Sequence, residues 1–309
     1  EISCSLVGSE MCIRDSSSHP EITLEANPDD LTPDYIAMLR TLPFNRLSMG
    51  IQTFNESILK VLQRRHTARQ AIEAFQNCRA AGFQNISIDL MYGLPGETLS
   101  TWQQDLDQAL LLHPEHLSAY HLIYEEDTVL WKLREQHKVE EADEDLSVSL
   151  FSTLIDRLTS EGYDHYEISN FSLPGLYSRH NSSYWTEKKY LGCGPSAHSY
   201  NGVSRQWNVA SLDTYIKGIS AGTPVFEIEE LDLYTRYNDF VITRIRTEWG
   251  MPLSKLRDEF GEKLYDYCLR MAAPHLKQGT LELVNDILKL TRKGIFISDG
   301  IMSDMLWTD

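Results

Sequence analysis

The stretch NISIDLMYGLPGET, residues 85–98, joins an alternating strand to a glycine-rich turn and a helix start. Ile86, Ile88 and Leu90 fall on one side of the strand and Ser87 and Asp89 on the other, the period of two that marks a strand with two unlike faces. A helix follows over residues 99–112 and stops at His113–Pro114. The same unit recurs in both directions. Upstream lie EITLEAN (21–27), a helix capped by Thr32 with Pro33 in its first turn, and RLSMGIQT (46–53). Helices from about Asn55 and from Thr67 to Gly82 lead back to the quoted strand, and HLSAYHLI (116–123) is the next strand downstream. Strands separated by helices imply right-handed crossovers and a parallel sheet, so the class is α/β. A doubly wound sheet and a barrel both satisfy this pattern.

A parallel sheet covered by helices is normally apolar on both faces. Here the second face carries Thr23, Glu25 and Asn27, then Ser48, Gly50 and Gln52, then Ser87 and Asp89, then Ser118 and Tyr120. Facing a barrel interior, these groups would bind a ligand near the strands' C-terminal ends. Two blander arrangements compete: an open antiparallel sheet with its polar face in water, and structural ion pairs of Glu25 and Asp89 with Arg46 or Arg64. Unpaired buried charge is costly, so the carboxylates need some partner.

Two helices are expected over residues 128–137 and 142–161, and residues 163–222 read as strands joined by structured loops. From residue 230 the texture is helical, with a hairpin in ELVNDILKLTRKG turning at Asn285–Asp286 and a final helix, a winged-helix-like pattern. The expected domains are 1–18, unstructured or foreign; 19–162, the α/β part; 163–229, an associated region; and 230–309, the winged part. The first eighteen residues hold six serines and lack the basic start and apolar run of a signal peptide.

Composition removes several classes. With 28 Lys and Arg against 45 Asp and Glu, the net charge of −17 argues against a phosphate-backbone binder. No run approaches the about 18 apolar residues of a membrane span. Five scattered cysteines, with no CxxC, exclude a disulfide scaffold and suit a reducing cytoplasm.

A second constellation is SRHNSSYW (178–185) followed by YLGCGPSAHS (190–199). His180 beside Asn181 could ligate a metal or haem iron, with Tyr184 and Trp185 flanking a flat apolar ligand. A hydrogen-bonded core histidine among packing aromatics is the alternative. Cys193 has no identifiable basic neighbour to activate it, and Ser196 lacks the GxSxG setting of a hydrolase.

Together EANP (25–28), RLSMGIQTF (46–54), RRH (64–66), SIDLMYGLPGET (87–98), HLSAYHL (116–122), YEISNF (166–171) and ISDG (297–300) resemble the coproporphyrinogen-dehydrogenase-like branch of the radical S-adenosylmethionine (SAM) proteins. The resemblance covers nearly everything from residue 20 onward. It implies a partial (β/α)6 radical SAM barrel with a helical, winged-helix-like C-terminal domain, and a [4Fe–4S] cluster and SAM as cofactors. By position Glu25, Gln52, Arg64 and Asp89 match the SAM-binding side chains, and Ile123 matches a backbone contact. HNSSYW fits the HNxxYW motif of the haem-chaperone (HemW-type) members, which implies His180 as a haem contact, with Asn181, Tyr184 and Trp185 as motif neighbours. Haem and a haem-acceptor protein are then the partners. The alternative is the oxygen-independent coproporphyrinogen III dehydrogenase, which is not expected to carry that motif.

One departure is sharp. The family's CxxxCxxC strand and the glycine-rich strand after it should precede residue 20, and neither motif is in the sequence; Cys4 and Cys12 have seven residues between them. The expectation is an N-terminally truncated barrel of four strands, with exposed edges, unable to assemble the cluster as it stands.

Overall fold

The computed structural model describes residues 20–308, which fall into two compact units, Glu21–Ser178 and a second from Arg179 onward. The expectations placed on residues 1–18 lie outside the described residues.

In the first unit four parallel strands, β1 (Thr23–Ala26), β2 (Arg46–Gln52), β3 (Ile86–Tyr92) and β4 (His116–His121), lie side by side. Helices α1 (Pro33–Leu39), α2 (Glu56–Val61), α3 (Ala68–Ala80) and α4 (Leu99–Leu111) connect them. Each helix starts where a side chain takes up an orphan amide: Thr32, Asn55, Thr67 and Thr98 accept from the first turn, and Thr67 with Gln70 closes a capping box. After α5 (Val129–Glu135) and α6 (Glu144–Ser160) the chain forms a hairpin, β5 (Asp164–Glu167) and β6 (Asn170–Ser172). The hairpin docks antiparallel on β4, giving the order β1-β2-β3-β4-β6-β5. The sheet is therefore six-stranded, not four-stranded as expected. The extra pair comes from YEISNF, whose short strands are held by ladder bonds to β4 and carry too few residues to show a period.

The apolar face of this sheet, Leu47, Met49, Ile51, Ile86, Ile88, Leu90, Leu117 and Ala119, is almost fully buried. Helices α3 and α6 lie against β2 and β3, and the Trp102 indole of α4 donates to the Leu150 carbonyl of α6 at 3.0 Å. Each of the Leu, Ile and Met side chains contributes about 1.5–3 kcal/mol on burial, which fixes the register and leaves the opposite face to the polar residues.

The second unit begins with α7 (Arg179–Trp185), followed by the antiparallel sheet of β7 (His198–Tyr200), β8 (Ser204–Asn208) and β9 (Phe226–Glu230), with α8 (Leu212–Ser220) between β8 and β9. Then come α9 (Leu233–Ile245), β10 (Met251–Pro252), α10 (Leu253–Gln278, broken at Gly261), β11 (Leu281–Val284), β12 (Ile287–Leu290), α11 (Arg292–Ile295) and α12 (Ser298–Met305). Strands β10, β12 and β11 form a small antiparallel sheet. Its hairpin turns where expected, with Asn285 at φ 51° and Asp286 at φ 70°, as a two-residue primed turn requires. Among the described residues no helix is long and apolar enough to cross a membrane.

Candidate functional site

Strand registers draw the polar residues of the first unit into two rows across the sheet. One runs Glu25, Ser48, Ser87, His116, Ser172; the next runs Gly50, Asp89, Ser118, Asn170, Glu167. Apart from Glu25, Gly50 and Asp89, every member is buried. The hairpin completes these rows, and Glu167 accepts from the Asn170 amide at 2.6 Å.

The end of β2 is shaped by a bulge. Gly50 pairs with Asp89 but Gln52 pairs with Leu90, so β2 carries one extra residue, and Gln52 sits at φ 70°. A Cβ on Gly50 would stand 2.9 Å from Gln52 Nε2 and 3.5 Å from Arg64 Nη2. Glycine here lets an amide and a guanidinium close over bare backbone. Arg64 Nη2 donates to Asn27 Oδ1 at 2.6 Å and to the Gly50 carbonyl at 2.9 Å. Beside it, the buried His66 bonds through Nε2 to the Ile51 carbonyl at 3.1 Å.

Asp89 accepts from Ser48 Oγ at 3.3 Å, and Ser118 also bonds it. Burial pushes its carboxyl up to about 6; the two serines oppose that, Glu25 adds to it by repulsion, and Arg46 opposes it. Beneath, His116 lies between Ser87 Oγ at 2.8 Å and Tyr166 OH at 2.7 Å. Burial, with the charge of Arg46 second, holds its imidazole well below the usual value, so it is neutral.

The structural ion pairs weighed from the sequence are absent: among the described residues neither Arg46 nor Arg64 forms a salt bridge with Glu25 or Asp89. Arg46 is only 4% exposed, and its Nε has no hydrogen-bond partner among the described residues. Asp89 is thus held by hydroxyls, and Arg64 spends one nitrogen on neutral oxygens, leaving the rest of its fork for an anion. Glu25 stands in the row beside Ser48, and Ile123 follows β4 with 75% of its surface exposed. The structure gathers Gln52 and Arg64 around Gly50, with Asp89 paired to Gly50 across the sheet and Glu25 close enough to raise the Asp89 carboxyl.

Such a donor and acceptor set fits SAM: carboxylates for hydroxyl or ammonium groups, a guanidinium fork for a carboxylate, and a glycine cradle that a side chain would fill. It does not extend to an iron–sulfur cluster. Among the described residues no three His, Cys, Asp or Glu side chains converge as metal ligands. Cys78 and Cys268 are buried, their thiols pushed up to about 11 and about 12 by burial, and Cys193 is exposed.

HNSSYW forms α7 in the other unit. His180 and Tyr184 lie one helical turn apart, with His180 Nε2 and the Tyr184 hydroxyl 3.1 Å apart and the rings edge to face at 5.0 Å. Trp185 lies under the Arg246 guanidinium at 4.2 Å, and Glu187 just beyond it pairs with Arg244 and Lys255. Asn181 is half-buried in the same helix.

Sequence reading passed over His116 with Tyr166, Glu167 with Asn170, and His198. The first four lie in HLSAYHL and YEISNF, but only the strand registers put His116, Asn170 and Glu167 on the face of Asp89, and Tyr166, at the irregularity in β5, joins them through its hydroxyl contact with His116. His198 lies inside the quoted GPSAHS, where nothing in the sequence sets it apart from any loop histidine.

Comparison with known proteins agrees with this architecture. The pattern of the Radical SAM superfamily matches residues 7–109, and that of the HemN C-terminal domain matches residues 231–297. The heme chaperone HemW of Bacillus subtilis is 30% identical over 295 residues, covering 95% of this chain and 78% of that protein. The heme chaperone HemW of Lactococcus lactis is 32% identical, covering 94% of this chain and 76% of that protein. Among solved structures, coproporphyrinogen III oxidase (HemN) from Escherichia coli superposes with a TM-score of 0.80 at 22% identity, over 97% of this chain and 73% of that one, which shows a shared fold. On the strength of these matches, which span more than nine-tenths of this chain, and of the polar strand ends, the chain belongs to the HemW family of radical SAM proteins.

Proposed function

We propose that this chain is a haem chaperone: it binds haem and passes it to acceptor proteins in the cytoplasm, with SAM seated on the polar face of the six-stranded sheet. The observation that carries this reading is the likeness to heme chaperones along 95% of the chain, joined to the HNSSYW helix. Glu25, Gln52, Arg64 and Asp89 hold SAM through side chains and Ile123 through backbone; His180, Asn181, Tyr184 and Trp185 form part of the haem-contact region. Within this proposal residues 19–162 serve the SAM half, 163–229 form the associated region that carries the HNxxYW motif, and 230–309 form the winged part. A [4Fe–4S] cluster with SAM, when both are bound, supplies one-electron chemistry.

The test is titration of the chain with hemin, followed by gel filtration. Hemin retained stoichiometrically, with a Soret band distinct from free hemin, is the expected outcome. Loss of all hemin on the column would refute the reading. Anaerobic incubation with coproporphyrinogen III, SAM and a reductant addresses the dehydrogenase alternative, for which decarboxylated product without retained hemin is the signature.

A further inference from the structure

The second unit contains a cavity of about 350 Å³ walled by Ser196, His198, Trp207, Val225, Phe226 and Glu227, among others. Its size and mixed lining, mainly apolar with a few polar groups, are those of a small-molecule site. His198 and Trp207 are register partners on β7 and β8, so their side chains share a face, and the rings stack with centroids 5.9 Å apart. Val225 and Phe226 remain 45% and 40% exposed although they line a concavity, an apolar wall without a cover.

Of the three histidines in this unit, His275 is buried with its Nε2 3.1 Å from Asp304 Oδ2, and the other two differ in what their nitrogens do. His180 Nε2 is occupied by the Tyr184 hydroxyl at 3.1 Å. His198 is exposed, and among the described residues its imidazole engages nothing but the face of Trp207. An imidazole nitrogen open to a cavity is what an iron porphyrin requires. An aromatic ladder links the two: His180 to Tyr184 at 5.0 Å, Tyr184 to Tyr190 at 4.8 Å, Tyr190 to Tyr200 at 6.0 Å. Tyr200 stands two residues from His198 on β7, hence on the same face. The HNSSYW helix therefore leads, ring by ring, to the strand that carries His198.

We infer that His198, rather than His180, supplies the axial bond to haem iron, with one edge of the porphyrin entering the cavity against Trp207, Val225 and Phe226. This rests on the haem-binding reading above. Binding forms one bond, from an imidazole nitrogen to iron, and displaces a weaker iron ligand such as water; no electron is transferred. The His180 to Tyr184 contact then orients the ladder rather than the iron.

The experiment compares the full chain with His198→Ala, His198→Gln and His180→Ala, using hemin as the probe and far-UV circular dichroism to verify folding. The two His198 variants are expected to lose at least about tenfold in hemin affinity and to shift the Soret band. Added imidazole should restore the wild-type spectrum in His198→Ala, while His180→Ala, which removes a haem contact, lowers affinity but retains the histidine-ligated Soret band. An unchanged spectrum in both His198 variants, or a lost imidazole signature in His180→Ala alone, overturns the assignment. A wild-type chain that retains no hemin overturns the haem reading itself, a result separable from failure of the His198 variants.

Discussion

Replacing Asp89 by Asn should make the protein more stable while impairing its ligand site. Burial and the nearby Glu25 lift the Asp89 carboxyl from 3.8 to about 6. An acid with a raised folded pKa costs stability when ionised: the penalty is absent below the unfolded value, grows between the two, and is complete above the folded one. A rise of about two units corresponds to about 3 kcal/mol at neutral pH and above. Asn keeps one acceptor oxygen for the Ser48 and Ser118 hydroxyls and gives up the other, which returns about 1 kcal/mol. The net gain is about 2 kcal/mol near pH 8, or roughly 4–8 °C in melting temperature for a unit of this size. Near pH 4.5 the remaining penalty is about 1 kcal/mol, equal to the lost hydrogen bond, so the curves of variant and wild type should meet. Urea unfolding at both pH values, followed by the fluorescence of the buried Trp102, measures this. An Asp89→Asn chain no more stable than wild type near pH 8, or a gap independent of pH, would show that the carboxylate is better compensated than its surroundings indicate.

Two further outcomes follow from the same face. Gly50→Ala should lower SAM affinity by about tenfold with a stability change under about 1 kcal/mol, because the new methyl displaces a flexible Gln52 amide rather than backbone; calorimetric titration with SAM that gives an unchanged affinity contradicts the cradle. His116 has a folded pKa well below 6.5, so the stability it leaves intact above pH 6.5 is lost as pH falls, by about 1.4 kcal/mol per pH unit. His116→Gln should flatten that decline between about pH 6.5 and 5, leaving the share due to His66, which is lowered in the same direction; an identical slope in variant and wild type counts against a neutral His116.

The parallel core was legible because its signals are local. Thr32, Asn55, Thr67 and Thr98 cap helices within three residues of themselves, and Ile86, Ile88 and Leu90 declare their face by spacing alone. The polar face, too, was readable from alternation, which brought Glu25, Gln52 and Asp89 forward. Residues 179–185 were not legible as a helix, since RHNSSYW holds weak helix formers and spans barely two turns. Its form depends on long-range contacts such as Trp185 under Arg246 and Glu187 with Arg244. In α8, by contrast, Ser211 and the spacing of Leu212, Ile216 and Ile219 carried a helical signal that the surrounding Gly and Thr residues obscured. The His198 cavity could not be read at all, because it exists only through the cross-strand partnership of His198 and Trp207 and the return of Val225 beside them.

The bulge that ends β2 constrains how this family can change. With Ile51 as the surplus residue and Gln52 in a left-handed conformation, the strand's length and the direction of one amide are tied together. Deleting a single residue there would restore an uninterrupted ladder and turn Gln52 toward the greasy helix layer, whereas most side-chain exchanges leave the ladder alone. Point substitutions can therefore drift through this strand over evolutionary time, but an insertion or deletion of one codon removes the ligand-facing amide in one step. Alignments of divergent members should keep the spacing from Arg46 to Gln52 invariant even where the letters between them vary.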